Sequence, residues 1–141
     1  MSGGKIAIMS EEKFLLDTSA VLTLIEDEPG ANRVKQIFSQ KNVLLPWVVL
    51  MEIYYMTLYE KGGEEAEIRF AMLRHSTAEI VWEMNEVVTL RAAKIKSGNK
   101  LSFSDAVIAS IAVHHGAVLV HKDPEYEQLK DELQLEALPY K

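Results

Sequence analysis

The sequence predicts an α/β protein in three layers (α/β/α), with helices on both faces of a short, mostly parallel central sheet. Short apolar runs alternate along the chain with longer helical patterns, which is the rhythm of βαβ units. Two of those runs stop abruptly at a polar cluster containing an aspartate, where the chain turns towards the next helix. No internal repeat, low-complexity segment or linker interrupts the 141 residues. One domain is therefore expected over 1–141, with residues 1–12 left unassigned as an N-terminal extension.

The first strand is residues 13–16 (KFLL), closed by Asp17. A helix is expected over 19–27, a Pro29-Gly30 break, and a second helix over 31–40 with Val34, Ile37 and Phe38 on one face. Residues 43–45 form the next strand, and Pro46 suits the start of the helix at 47–60. That helix, WVVLMEIYYMTLYE, is apolar nearly all round, so it is buried on more than one side by its own domain or a partner. Residues 64–75 are amphipathic, with Ile68, Ala71 and Met72 on one face and charges on the other. A strand at 79–82 and a helix at 85–96 carrying Val87, Val88, Leu90 and Ile95 follow. Ser102 opens a helix that runs to His115, residues 117–120 are a buried strand, and Pro124 starts a short helix to about Leu129. A last strand is expected within 133–138, while KIAIM at 5–9 fits an edge strand, a leader or a partner-binding arm.

Composition narrows the classes of function. Hydrophobic residues make up 48% of the chain, and no apolar run approaches the ~20 residues of a membrane span. The first residues lack the pattern of a secretory signal. The absence of cysteine removes disulfides, thiolate metal sites and a cysteine nucleophile, and it suits a reducing cytoplasm, the expected location. A net charge of −6 argues against coating nucleic acid by charge alone. An enzyme whose negative charge is concentrated in a metal pocket remains compatible with it.

Four acids stand out. Asp17 and Asp123 follow two separate strands, and in an open α/β sheet the carboxyl ends of strands face the ligand crevice. Asp105 lies in the first turn of a helix, and Glu52 sits amid apolar residues of another. Each has an ordinary structural role available. Asp17 and Asp123 fit helix caps, and Asp105 completes a capping box with Ser102. Glu52 is costly to bury without a salt bridge or a proton. Were the four to converge, their repulsion would call for a hard divalent ion. Carboxylates and waters are the ligand set of Mg²⁺ or Mn²⁺, which suits phosphodiester hydrolysis.

With these residues in hand, the chain resembles the PIN domain, in particular the VapC-like toxin ribonucleases. FLLDTSAVLTLIEDEPGA, the helix around MEIYYMTLYE, and LSFSDAVIASIAVHHGAVLVHKDPEYEQL carry the resemblance, in that order, from about 14 to 129. It implies a metal-dependent ribonuclease acting on single-stranded or structured RNA, the toxin of a type II toxin–antitoxin pair. It implies Asp17, Glu52, Asp105 and Asp123 as acidic ligands and Ser19 as the hydroxyl beside the first. The chain departs from the family at His121, where a Thr or Ser is usual. His121 is open to binding phosphate, tuning the pH response or simple tolerance.

Arg91, Lys94, Lys96 and Lys100 form an acid-free run towards Asp105, either a track for the RNA backbone or a solvated helix face. His114 and His115 fit the end of a helix. Trp47, Tyr54, Tyr55, Tyr59 and Trp82 are expected in the core, with the 47–60 helix also available to a homodimer or a small antitoxin. Two other functions compete. One is a catalytically silent module that binds RNA or protein. The other is aspartyl-phosphate chemistry at Asp17, as a phosphatase or phospho-acceptor, although a phosphatase usually wants an acid where Ser19 stands.

Overall fold

The computed structural model describes residues 12–39 and 42–141, so the 5–9 segment lies outside the described residues. Five strands, β1 (Phe14–Leu16), β2 (Val43–Pro46), β3 (Glu79–Val81), β4 (Val118–His121) and β5 (Leu135–Ala137), form one parallel sheet in the order β3-β2-β1-β4-β5. Phe14 lies opposite Val43 on one side and Val118 on the other. The central strands β2, β1 and β4 are buried along their length, which is why their sequences are continuous apolar runs. The edge strands β3 and β5 are more exposed and less apolar.

The chain builds one side of the sheet outward from β1, then returns across it to lay β4 against β1's other edge. Strand order therefore reverses between β1 and β4, and the crevice at their carboxyl ends is the expected ligand position. The amide of Asp17 donates to the Val120 carbonyl at 3.1 Å and ties the two ends together.

Among the described residues, seven helical segments accompany the strands. They are α1 (Thr18–Ile25), α2 (Ala31–Phe38), α3 (Trp47–Lys61), α4 (Gly63–Arg74), α5 (Glu86–Gly98), α6 (Phe103–His115) and the 3-10 segment Pro124–Leu129. Ser102 caps α6 as its spacing predicts, accepting the Asp105 amide at 3.1 Å. α6 is the most buried helix and carries Ala106 through Ala112 into the core.

Several helix faces differ from expectation. On α4 the residues turned inward are Ala66, Arg69 and Leu73, while Ile68, Ala71 and Met72 face solvent. α4 packs against α3, and the aliphatic stem of Arg69 fills that seam while its head reaches Glu26, Glu65 and the Thr57 hydroxyl. On α5, Val88, Ala92 and Ile95 are buried, leaving Val87 and Leu90 outside. Trp82 is 53% exposed rather than core, with the Arg74 guanidinium 5.9 Å from its ring. α3 buries Val48, Val49, Leu50, Ile53 and Thr57, but exposes Met51, Tyr55, Leu58 and Tyr59, the last at 86%. Among the described residues no helix is long and apolar enough to cross a membrane.

Candidate active site

Asp17 is both a cap and a buried acid. Its carboxylate accepts the Ala20 amide at 2.8 Å and the Ser19 hydroxyl at 2.7 Å, and it is only 3% exposed. Burial pushes its pKa from 3.8 up to about 7; the charges of Asp105 and Asp123 add to the rise, and the two hydrogen bonds oppose it. Ser19 has a second task. Its oxygen accepts the Lys122 amide at 2.9 Å, joining the segment after β1 to the segment after β4.

Glu52 is half-buried on the side of α3 that meets α1, not enclosed as the apolar sequence around it suggests, because Met51 and Tyr55 turn to solvent. Its carboxylate accepts the Thr18 hydroxyl at 2.5 Å. Thr18 is thus a site residue that the sequence reading missed, though its hydroxyl directly follows Asp17.

Asp105 projects from the first turn of α6. One carboxylate oxygen accepts the Tyr126 hydroxyl at 3.0 Å. Burial raises its pKa above the ordinary carboxylate range, Asp123 and Glu52 raise it further, and Tyr126 and Ser102 pull it down. Asp123 caps the 3-10 segment by accepting the Glu125 amide at 2.9 Å, while its own amide donates to His121 Nδ1 at 3.1 Å.

Tyr126 is the second residue the sequence reading missed. It is wholly buried, and its hydroxyl's pKa lies far above the usual value through burial and the charges of Asp17, Asp105 and Asp123. It thus hydrogen-bonds one of three aspartates from separate elements and feels the charge of the other two.

The four acids therefore form a connected electrostatic group: Asp17 with Asp105 and Asp123, and Asp105 with Asp123 and Glu52. Among the described residues, no three Asp, Glu or His side chains are arranged to hold a metal ion. Each carboxylate is drawn to a local donor instead: Ala20 and Ser19, Thr18, Tyr126, or Glu125. The chemistry of the donor set still fits a hard divalent ion. It is all oxygen, its members repel, and the nearby Lys122 ammonium turns to Glu28 at 3.4 Å.

The other candidates separate. A helix turns about 100° per residue, so Arg91 and Lys94 lean to one side of the buried stripe of α5 and Lys96 to the other. Lys94, Lys96 and Lys100 are exposed, but Arg91 is half-buried with Nη1 enclosed and without a hydrogen bond. His121 is wholly buried and is no surface phosphate contact. His114 and His115 stand edge to face at the end of α6.

A five-stranded parallel sheet flanked by helices, with strand order reversing between β1 and β4 and mutually repelling carboxylates nearby, defines the class of open α/β proteins. A family model described as the PIN domain matches residues 14–132, and the chain belongs to the PIN domain family. Its fold is shared by solved toxin–antitoxin structures. VapBC2 from Rickettsia felis, bound to a DNA fragment from its promoter, aligns with TM-score 0.74 and 20% identity over 89% of this chain and 98% of that one. DNA-bound VapBC from Salmonella typhimurium gives TM-score 0.73 and 20% identity over 89% and 98%. VapC20 from Mycobacterium tuberculosis, a toxin that cleaves the sarcin–ricin loop, gives TM-score 0.70 and 19% identity over 90% and 100%. Among curated proteins no relative matches in sequence.

Proposed function

We propose that this chain is a Mg²⁺- or Mn²⁺-dependent endoribonuclease and the toxin of a toxin–antitoxin pair. The observation that carries the reading is the acid group at the switch point, where Asp17 is buried enough to hold its proton to about pH 7 and feels two further aspartates. Asp17, Glu52, Asp105 and Asp123 would hold the ion. When bound, it supplies charge for a phosphoryl oxygen and a water acidic enough to attack at neutral pH. Ser19 keeps Asp17 oriented, and Thr18 does the same for Glu52. The fold of the sarcin–ricin-cleaving relative supports an RNA substrate with an accessible loop.

The toxin role draws on the complexes in which the relatives were solved. A homodimer is supported by Met51, Tyr55 and Tyr59 on α3 and Ile68 and Met72 on α4, large apolar side chains left in solvent. Tyr59→Glu combined with Ile68→Glu is expected to leave a monomer on analytical ultracentrifugation where the unaltered chain sediments as a dimer. A monomeric unaltered chain would remove the dimer from this reading.

RNA cleavage decides the enzymatic part. The purified chain should cut RNA with Mn²⁺, stop on chelation, and lose at least about 100-fold in rate on Asp105→Asn. Cleavage that survives either treatment refutes it, and RNA binding without metal-dependent cleavage points to the silent module.

A further inference from the structure

Between β4 and the 3-10 segment, two aromatic rings stand behind the acids. The His121 ring centroid is 5.0 Å from that of Tyr126, the planes inclined at 56°, and 6.2 Å from that of Tyr140. Both His121 and Tyr126 are wholly buried, and each directs one polar atom at a carboxylate-bearing residue. His121 Nδ1 meets the Asp123 amide at 3.1 Å, and the Tyr126 hydroxyl meets Asp105 at 3.0 Å. The Tyr126 amide also donates to the Asp123 carbonyl at 3.2 Å, so Asp123 is held through its backbone on both sides.

We propose that His121 and Tyr126 form a positioning pair: His121 fixes the backbone that presents Asp123, and the Tyr126 hydroxyl fixes the carboxylate of Asp105. The pair acts through the two acids and touches no substrate. This inference rests on the metal-dependent reading above.

The chemistry of each contact is determined by its donor. An amide N–H only donates, so Nδ1 of His121 is the unprotonated nitrogen and the ring's proton sits on Nε2. Nε2 is enclosed without a hydrogen bond, with Glu127 3.8 Å away. A neutral ring in a single tautomer, packed on two phenols, has little freedom to release Asp123. Tyr126 is equally constrained. Its hydroxyl donates to one oxygen of Asp105. The second oxygen is then presented in one orientation. Together the rings couple the loop after β4 to the first turn of α6, two parts of the chain that no strand pairing joins.

Second-sphere hydrogen bonds of this kind change metal affinity by about 10- to 100-fold. The test titrates Mn²⁺ alone into the metal-free full-length chain by calorimetry. Tyr126→Phe removes one oxygen and keeps the ring, so its metal-free melting temperature should stay close to that of the unaltered chain. Its Mn²⁺ affinity should fall about 10-fold or more. His121→Phe, which keeps a ring without an acceptor, should also weaken binding, and His121→Thr should restore much of it, because a hydroxyl oxygen there can again accept the Asp123 amide. Should His121→Phe fail to fold, Tyr126→Phe decides alone. Mn²⁺ binding that is lost in Asp105→Asn but unchanged in Tyr126→Phe overturns the pair and spares the metal reading. No Mn²⁺ binding by the unaltered chain overturns both.

Discussion

Asp17→Asn is expected to abolish metal-dependent RNA cleavage while raising the melting temperature of the metal-free protein at neutral pH. The two effects have one cause. Folding buries the carboxylate and moves its pKa from 3.8 to about 7, so the folded chain holds a proton that the unfolded chain has released. A raised carboxylate pKa makes stability fall as pH rises, starting near the unfolded value and ending near the folded one. At about 1.4 kcal/mol per pH unit, the cost above pH 7 reaches roughly 4 kcal/mol. Asparagine is a good cap and can still accept the Ala20 amide, but it carries no charge to desolvate. Thermal melts from pH 4 to 8 without metal should therefore show the unaltered chain losing stability relative to Asp17→Asn across that window. Glu28 and Glu136, whose pKa values are lowered by ion pairs, act alike in both proteins and cancel in the difference. Saturating Mn²⁺ should close the gap, because an ion binding only the folded state stabilises it by mass action. An Asn variant that melts below the unaltered chain at pH 7.5 without metal contradicts this account.

Removing both acids that face Arg69 is expected to destabilise the fold more than removing Arg69 itself. The guanidinium is 6% exposed, its Nε makes no hydrogen bond, and Nη1 reaches the Thr57 hydroxyl at 3.3 Å. Among the described residues its charge is answered by Glu26 at 3.6 Å and Glu65 at 3.5 Å, both partly solvated. Glu26→Gln with Glu65→Gln strands a buried cation, at a cost of up to about 3–5 kcal/mol. Arg69→Met removes the charge together with its need for partners and leaves an apolar chain of similar length in the seam. Thr57 loses little, because its hydroxyl still donates to the Ile53 carbonyl at 2.6 Å. Urea unfolding of the two variants measures the difference. Equal losses would mean that ion pairing, rather than stem packing, holds α4 to α3.

The sheet was legible in the sequence because parallel strands covered on both faces must be apolar throughout, as 14–16, 43–45 and 118–120 are. The Ser102 cap and the acids after β1 and β4 were legible for a related reason: a residue's place at the end of an element limits what it can do. Helix orientation was not legible. Periodicity reveals that Ile68 and Met72 share a face, but not that this face looks outward, and nothing local marks Arg69 as the buried residue. Tyr126 was hidden for another reason. Its hydroxyl meets an acid 21 positions earlier, a relation that exists only once α6 and the 3-10 segment have docked.

The two neighbours of β1 lie at very different distances along the chain. Val43 and Val118 both pair with Phe14, one on each side, although Val118 is 75 positions (118 − 43) further on. Asp123 and the Lys122 amide that Ser19 accepts both follow β4, so the acid group depends on the pairing that spans the longest stretch of chain in the sheet.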